Sequence, residues 1–207
     1  MDRKIRASKE VLDFRFDPDK HEYWLGSQRL PGFTEIKNGC NIGYNHGSEL
    51  ASTIAMAKGK AVHRCCELYD KGEIVWASVK DEIYGYVLAW MKFREDTGYI
   101  PNVNFRETPL YHPTYLYGTT PDCGDGRFKD RSTALVEIKT GAKEEWHKLQ
   151  TAAQELCLPK RKNKKRIVVY LDENGTYKID EHDDPMDCRV WLSLVVEFNW
   201  RLKHGYV

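Results

Sequence analysis

The stretch from Thr133 to Thr140, with the sequence TALVEIKT, constrains the fold more than any other part of the chain. Its apolar residues suit a core strand, but an acid and a lysine occupy alternate positions near its end. Side chains two residues apart in a strand point to the same face, so Glu137 and Lys139 project together while Ile138 turns into the core. Because an unpaired buried charge is costly, the pattern predicts a core strand that carries a polar site on one face.

The periodicity of the remaining sequence predicts an α/β or α+β fold, in which helices flank a central mixed β-sheet. Helices are expected at about residues 49–69, 79–96, 143–158 and 184–203, the last opened by Asp184 as N-cap and by Pro185. Strands and turns are expected over 14–36 and a loop over 37–47. Further strands are expected at 105–110, 114–118, 126–128 and 133–140, followed by a hairpin of 166–171 and 176–179 around Asn174-Gly175.

The composition limits the class of protein. A chain of 207 residues, 41% hydrophobic and 12% aromatic, is long enough to bury a core and is expected to form one domain. No window approaches ~20 apolar residues and the N-terminus lacks an apolar signal region, so we expect no membrane partner and a cytoplasmic, intracellular location. The six cysteines contain no C-x-x-C pair and are expected to be reduced thiols. The formal charge of +1 is uninformative.

The clearest chemistry lies in Asp122, which follows Thr120-Pro121, and in the Glu137-Ile138-Lys139 triplet that begins after fourteen intervening residues. The two carboxylates suit a hard divalent cation such as Mg²⁺, and the Ile138 backbone carbonyl between them is a further candidate ligand. Such a cation supports phosphodiester hydrolysis, in which Lys139 would orient or help deprotonate the attacking water. An ordinary cross-strand ion pair, with Asp122 as a turn residue, is the alternative that these residues leave open.

Several segments resemble, in order, the motifs of the PD-(D/E)XK nuclease superfamily, and within it the RecB-like and phage-type exonuclease branch. They are Phe16–Ile36 with His21, Tyr23, Leu30-Pro31 and Thr34; Gly59-Lys60-Ala61-Val62-His63 followed by Glu67 and Asp70-Lys71-Gly72; Glu107 with Gly118 and Asp122; Glu137-Ile138-Lys139-Thr140-Gly141; and Trp146-His147 with Gln150 to Gln154. The resemblance implies a restriction-endonuclease-like core in a single nuclease domain over 1–207. Its parts would be N-terminal strands and loop at 1–47, the catalytic core at 48–158, and a basic loop, hairpin and helix at 159–207.

The resemblance also implies roles for residues outside the central triplet. His63 would join the two carboxylates as a metal ligand, and Gln150 would bind the nucleophile region or the scissile phosphate. Glu107 and Glu67 are additional acids, and Glu67, one helical turn after His63, would either orient it or be a surface charge. Two features depart from the family: Gln154 stands where a tyrosine is usual, and the close cysteine trio that holds an iron–sulfur cluster in some relatives is missing, so no cluster is expected.

A basic run follows the predicted Gln150 helix and consists of Lys160, Arg161, Lys162, Lys164, Lys165 and Arg166. Such runs are usually solvated loops, but in a nuclease this one would contact the DNA backbone in a salt-sensitive, sequence-independent way. Four aromatic residues would either stack on the bases of a single strand or pack in the core: Tyr111, Tyr115, Tyr117 and Trp146.

The residues predict a metal-dependent nuclease, and the resemblance implies a DNA exonuclease that is phage-encoded and active in recombination, replication or DNA degradation. Its cofactor would be Mg²⁺ or Mn²⁺ and its partner single- or double-stranded DNA, together with a single-strand-binding or annealing protein. A single-strand or structure-specific endonuclease on the same fold is the alternative among enzymes. A catalytically silent nucleic-acid-binding module is the alternative of another class, although Asp122, Glu137 and Lys139 are all present. An ion-paired α/β domain of other function, with an accidental resemblance, is the last.

Overall fold

A computed structural model describes residues 13–43, 49–159 and 164–207 of the chain. Within these ranges the helices are α1 (Phe33–Gly39), α2 (Glu49–Lys71), α3 (Asp81–Thr97), α4 (His147–Cys157) and α5 (Met186–His204). The strands are β1 (Phe14–Asp17), β2 (Glu22–Leu25), β3 (Gln28–Leu30), β4 (Ile100–Pro101), β5 (Leu110–Tyr111), β6 (Gly118–Thr119), β7 (Gly126–Arg127), β8 (Thr133–Lys139), β9 (Lys164–Leu171) and β10 (Tyr177–His182).

The main sheet of the described residues has the strand order β10-β9-β8-β7-β4. Strands β8 and β9 are parallel, and the other neighbours are antiparallel. A parallel pair needs a long crossover, and α4 lies on the connection from β8 to β9. The strands β1 to β3 form a separate antiparallel sheet, and β5 pairs with β6. The predicted mixed sheet flanked by helices is therefore confirmed.

Strand β8 has helices on both faces, which explains its buried charges. Its residues Ala134, Val136 and Ile138 pack in the apolar cluster that contains α2 and α3. Alternation in a strand turns Glu137 and Lys139 to the opposite face, where α4 covers the sheet. Helix α4 packs in turn against α5 and α1 in a second apolar cluster. The acid and the lysine therefore lie between the sheet and α4.

The helices predicted at 49–69, 79–96 and 184–203 are confirmed with small shifts at their ends, as are β8 and the hairpin of β9 and β10. The helix predicted from 143 begins only at His147. The loop predicted for 37–47 is wrong at its start, because 37–39 belong to α1, and 44–47 lie outside the described residues. Segment 14–36 contains the predicted strands and, in addition, most of α1.

The strands predicted at 105–110 and 114–118 are wrong. Only Leu110–Tyr111 and Gly118–Thr119 pair with each other, and Val103–Phe105 forms a short 3-10 turn. Glu107 and Leu116 have φ angles of 47° and 51°, values outside the extended region that a strand requires. The backbone therefore turns at both positions instead of continuing in a strand.

The described helices include none that is both long enough and apolar enough to cross a membrane. All six cysteines are free thiols. Burial raises the pKa of the Cys157 thiol to about 12 and holds that of Cys66 well above its usual value. Since the thiolate is the reactive form, these two cysteines are packing residues.

A buried ion-pair cluster links α2 and α3 to Arg106, which directly precedes the turn at Glu107. The Arg106 side chain is completely buried, with its Nε 3.2 Å from Asp70 Oδ2. Asp70 Oδ1 accepts hydrogen bonds from Arg94 at 2.7 Å and from the Trp90 indole at 2.9 Å. Arg106 also donates to the backbone carbonyl of Asp122 at 2.9 Å. The cluster therefore links two helices to the backbone around Asp122.

We expect Asp70→Asn to destabilise the fold by about 3–5 kcal/mol, because it leaves the buried Arg106 guanidinium without a compensating charge. Urea unfolding followed by circular dichroism would measure the loss. The control Asp96→Asn removes an exposed partner of Lys92 and should change the free energy of unfolding little. Equal midpoints for both variants would show that the Asp70 charge does not stabilise the fold.

Candidate active site

Backbone pairing places Asp122 beside strand β8. Cys123 and Val136 exchange two backbone hydrogen bonds of 3.0 and 2.9 Å, as an antiparallel bridge. The Asp122 carboxylate consequently lies next to the end of the strand, and its Oδ2 accepts the Ile138 N–H at 2.6 Å. The two parts of the predicted constellation, separated by fourteen residues in the sequence, meet at this contact.

The same pairing sets the direction of the Ile138 carbonyl. When two antiparallel residues exchange both backbone hydrogen bonds, the N–H and C=O of each point to the same edge of its strand. Val136 exchanges both with Cys123, so Ile138, two residues later, has the same orientation. Its N–H bonds Asp122, and its carbonyl therefore points towards the Asp122 edge of β8, which suits the ligand role expected from the sequence.

His63 and Glu107 reach Asp122 from two other parts of the chain. His63 lies on α2 next to the core residue Val62, and its Nδ1 is 2.9 Å from Asp122 Oδ1. Glu107 follows the buried Arg106, and its Oε1 is 3.9 Å from the same His63 nitrogen. One ligand atom from each of the three side chains lies within 4.8 Å of the others. The three side chains converge as the ligands of one cation would.

Glu137 lies under α4 and is held by three donors. The residue is only 2% exposed, and its Oε1 accepts from the Lys139 ammonium at 2.8 Å and from the Gln150 amide at 2.6 Å. Its Oε2 accepts from the Gln154 amide at 2.8 Å. Glu137 is therefore outside the group of three converging ligand atoms, and the Gln150 amide that was expected to meet substrate donates to Glu137.

The carboxyl groups of the site differ in their tendency to ionise. Burial opposes the charge on Asp122, but His63 and Lys139 outweigh burial and hold the pKa of its carboxyl at about 2. Burial and the charge of Asp122 raise the pKa of Glu137, and they raise that of Glu107 to about 8. Burial lowers the pKa of His63, but Asp122 outweighs it and raises the pKa overall. A bound divalent cation would favour the charged form of all three acids.

The donor set fits a divalent cation of the hard type. His63, Glu107 and Asp122 supply an imidazole and two carboxylates, and the Ile138 carbonyl is directed to the same edge. Carboxylate and carbonyl oxygens suit Mg²⁺ and Mn²⁺. Glu137, one residue before Ile138, is the further carboxylate expected from the sequence as a ligand. Its Oε2 accepts one hydrogen bond, from Gln154.

The role expected for Glu67 is wrong. Glu67 lies on α2 one turn after His63, but its two carboxylate oxygens accept from Arg64 and Lys71, each at 2.6 Å. It is also largely buried. Its charge is compensated within the helix, so it is neither the group that orients His63 nor a free surface charge.

The described part of the basic run consists of Lys164, Lys165 and Arg166. Arg166 is buried on β9 and pairs with Asp187 at 2.9 Å, so the expectation that its guanidinium contacts DNA is wrong. Lys165 is partly exposed and pairs with Glu181 at 3.2 Å. Lys164 begins the strand, and the others lie outside the described residues: Lys160, Arg161 and Lys162.

Three of the four aromatic residues singled out in the sequence pack in apolar clusters, and the fourth borders the site. Tyr117 is completely buried, Tyr115 packs against the cluster formed by α1, α4 and α5, and Tyr111 packs against the N-terminal sheet. These three are packing residues. Trp146 differs, because the Lys139 ammonium lies 5.7 Å from the centre of its ring, and this indole therefore borders the site.

Gln154 is a residue to which the sequence assigned no role, because it stands where a tyrosine is usual in the family. Its amide reaches Glu137 because it lies four residues after Gln150 on α4, and this spacing puts two side chains on the same helix face. The spacing is visible in the sequence. Which strand residue that face covers depends on how α4 packs on β8, and the sequence alone does not show it.

Solved structures that resemble this chain include two of an alkaline exonuclease. An alkaline exonuclease, LHK-Exo from Laribacter hongkongensis, matches with a TM-score of 0.42 and 20% identity over 57% of this chain and 64% of that chain. LHK-Exo in complex with dAMP matches with a TM-score of 0.48 and 17% identity over 86% of this chain and 89% of that chain. The chain thus spans less than two thirds of the first structure. No protein-family model and no curated protein matches the chain.

We expect Asp122→Asn and Glu107→Gln each to weaken Mn²⁺ binding about tenfold or more, since even residues that only support a ligand have effects of this size. Isothermal titration calorimetry on metal-free protein would measure the affinity. Glu67→Gln is the matched control, because this acid is also buried but bonds Arg64 and Lys71. Wild-type affinity in Glu107→Gln, with loss in Asp122→Asn, would remove Glu107 from the ligand set.

Proposed function

We propose that the chain is a divalent-metal-dependent deoxyribonuclease. The observation that carries the proposal is the convergence of His63, Glu107 and Asp122, with ligand atoms within 4.8 Å of one another, beside a strand end that carries Lys139. A half-buried histidine and glutamate against a buried aspartate are costly to maintain without a function that uses them. An ammonium group next to a cation site is the arrangement that hydrolysis of a negatively charged ester requires.

A bound cation would neutralise the charge that develops on the phosphate and lower the pKa of an attacking water. Asp122, His63 and Glu107 would hold it, together with the Ile138 carbonyl. Glu137, the other carboxylate expected as a ligand, would join them through Oε2, which accepts only from Gln154. Lys139 is mostly buried and fixed by Glu137 at 2.8 Å, so its ammonium is oriented before substrate arrives. It would orient the water or stabilise the negatively charged phosphate.

Among nucleases, we propose an exonuclease on DNA that uses Mg²⁺ or Mn²⁺. This choice rests on the ordered motifs from Gly59 to Gln154, which resemble those of RecB-like and phage-type exonucleases. The same resemblance supports a phage-encoded enzyme of DNA recombination, replication or degradation. An endonuclease would use the same residues for the chemical step, so the form of the substrate has to separate the two.

We expect the wild-type chain to degrade end-labelled linear DNA with Mg²⁺ or Mn²⁺ and to be inactive with EDTA. Lys139→Ala should lower the rate at least about a hundredfold, because it removes a positive group aimed at the developing charge, while Mn²⁺ binding is retained. Lys92→Ala is the control, since this exposed lysine pairs with Asp96 on α3 and lies outside every candidate site. The label position would give the polarity of degradation.

Closed circular DNA separates the alternatives. Degradation that spares circles supports the exonuclease, and cleavage of circles would replace it with an endonuclease. Binding of DNA without cleavage under every metal condition would contradict the catalytic proposal and indicate a silent binding module. A Lys139→Ala variant as active as the wild type would exclude the role given to this lysine.

A further inference from the structure

The two oxygens of the Glu137 carboxylate accept different numbers of hydrogen bonds. An ionised carboxylate has about two lone pairs on each oxygen. Oε1 accepts from both Lys139 and Gln150, at 2.8 and 2.6 Å, so its two positions are taken. Oε2 accepts only from Gln154, at 2.8 Å. One acceptor position therefore remains on this carboxylate, and it is on the oxygen that Gln154 holds.

We propose that Gln154 is a positioning residue, which fixes Glu137 through Oε2 so that the remaining lone pair of this oxygen serves the cation site. Gln150 and Gln154 lie one turn apart on α4, and their amides bond different oxygens of the same carboxylate. Two donors on a rigid helix restrict the rotation of the carboxylate plane more than one donor does. The inference deepens the proposed function and rests on it.

The burial of Gln154 supports this role. The residue is completely buried, and its amide oxygen Oε1 has no hydrogen-bond partner among the described residues. A buried amide with an unsatisfied oxygen costs roughly 1–3 kcal/mol, and an apolar side chain of similar size at this helix position would avoid that cost. The gain that offsets it is the N–H directed at Glu137. Gln150 shows the same pattern, since its Oε1 is also buried without such a partner.

Without Gln154, Lys139 and Gln150 would hold only Oε1 of Glu137. The carboxylate could then rotate and carry Oε2 away from the site. The carboxylate would then sample several orientations, and binding a cation would have to restrict them. Partners that orient a ligand in this way typically contribute a factor of about ten to a hundred to metal affinity. Loss of the Gln154 donor should therefore weaken metal binding without removing any ligand atom.

The test uses Gln154→Met, which keeps an unbranched side chain of similar length but lacks the donor, and Gln154→Leu as a second variant if the first fails to fold. Isothermal titration calorimetry with Mn²⁺ on metal-free full-length chain should show an affinity about tenfold or more below wild type. The matched control is Thr151→Val on the same helix, whose buried hydroxyl bonds the Lys148 carbonyl; its Mn²⁺ affinity should equal that of the wild type.

A double-mutant cycle separates positioning from a general loss of stability. If Gln154 acts through Glu137, then Gln154→Met should cause no further loss of Mn²⁺ affinity in the Glu137→Gln background. Wild-type affinity in folded Gln154→Met, or an equal loss in both backgrounds, would overturn the inference while the nuclease proposal stands. A wild-type chain that neither binds Mn²⁺ nor cleaves DNA would overturn the proposed function and this inference together.

Discussion

The contact between the Asp122 carboxylate and the backbone of β8 determines the rest of the site. Oδ2 accepts the Ile138 N–H at 2.6 Å, so Oδ1 is the oxygen that faces His63 at 2.9 Å. The backbone hydrogen bonds of 3.0 and 2.9 Å between Cys123 and Val136 hold the adjacent Asp122 backbone beside β8, and the Ile138 N–H and His63 hold its carboxylate. A ligand held by backbone pairing on a regular strand has the rigidity that a preorganised metal site needs.

The buried Asp70 of α2 helps to fix the backbone of Asp122 through Arg106. Asp70 and His63 lie seven residues apart on α2, about two helical turns, so the same face of the helix supplies both groups. Asp70 pairs with Arg106, which donates to the Asp122 carbonyl. The next residue, Glu107, has a φ angle of 47°, a conformation that costs roughly 1–3 kcal/mol and persists only where its surroundings impose it. That turn directs the Glu107 carboxylate to the site.

The parts of this site that the sequence predicts depend on patterns among neighbouring residues, and the parts that it does not predict depend on contacts between distant residues. The face shared by Glu137 and Lys139 follows from strand alternation, and α2 follows from helical periodicity, because neighbours in sequence carry both signals. The turn at Glu107 could not be predicted in this way. A non-glycine residue adopts a positive φ there, and the apolar alternation of 105–110 gives no sign of it. The burial of Arg166 depends on Asp187, 21 residues later, and the basic run gave no indication of this partner.

The three acids and the histidine of the site also shift one another's pKa values. His63 compensates the charge of Asp122, which holds the pKa of that carboxyl at about 2 despite its burial. The same negative charge raises the pKa of Glu107 and Glu137. Histidine binds metal through an unprotonated nitrogen, so a cation bound at His63 Nδ1 would replace the contact of this nitrogen with Asp122. The contact with His63 therefore compensates the buried charge of Asp122 at the place where a divalent cation would compensate it.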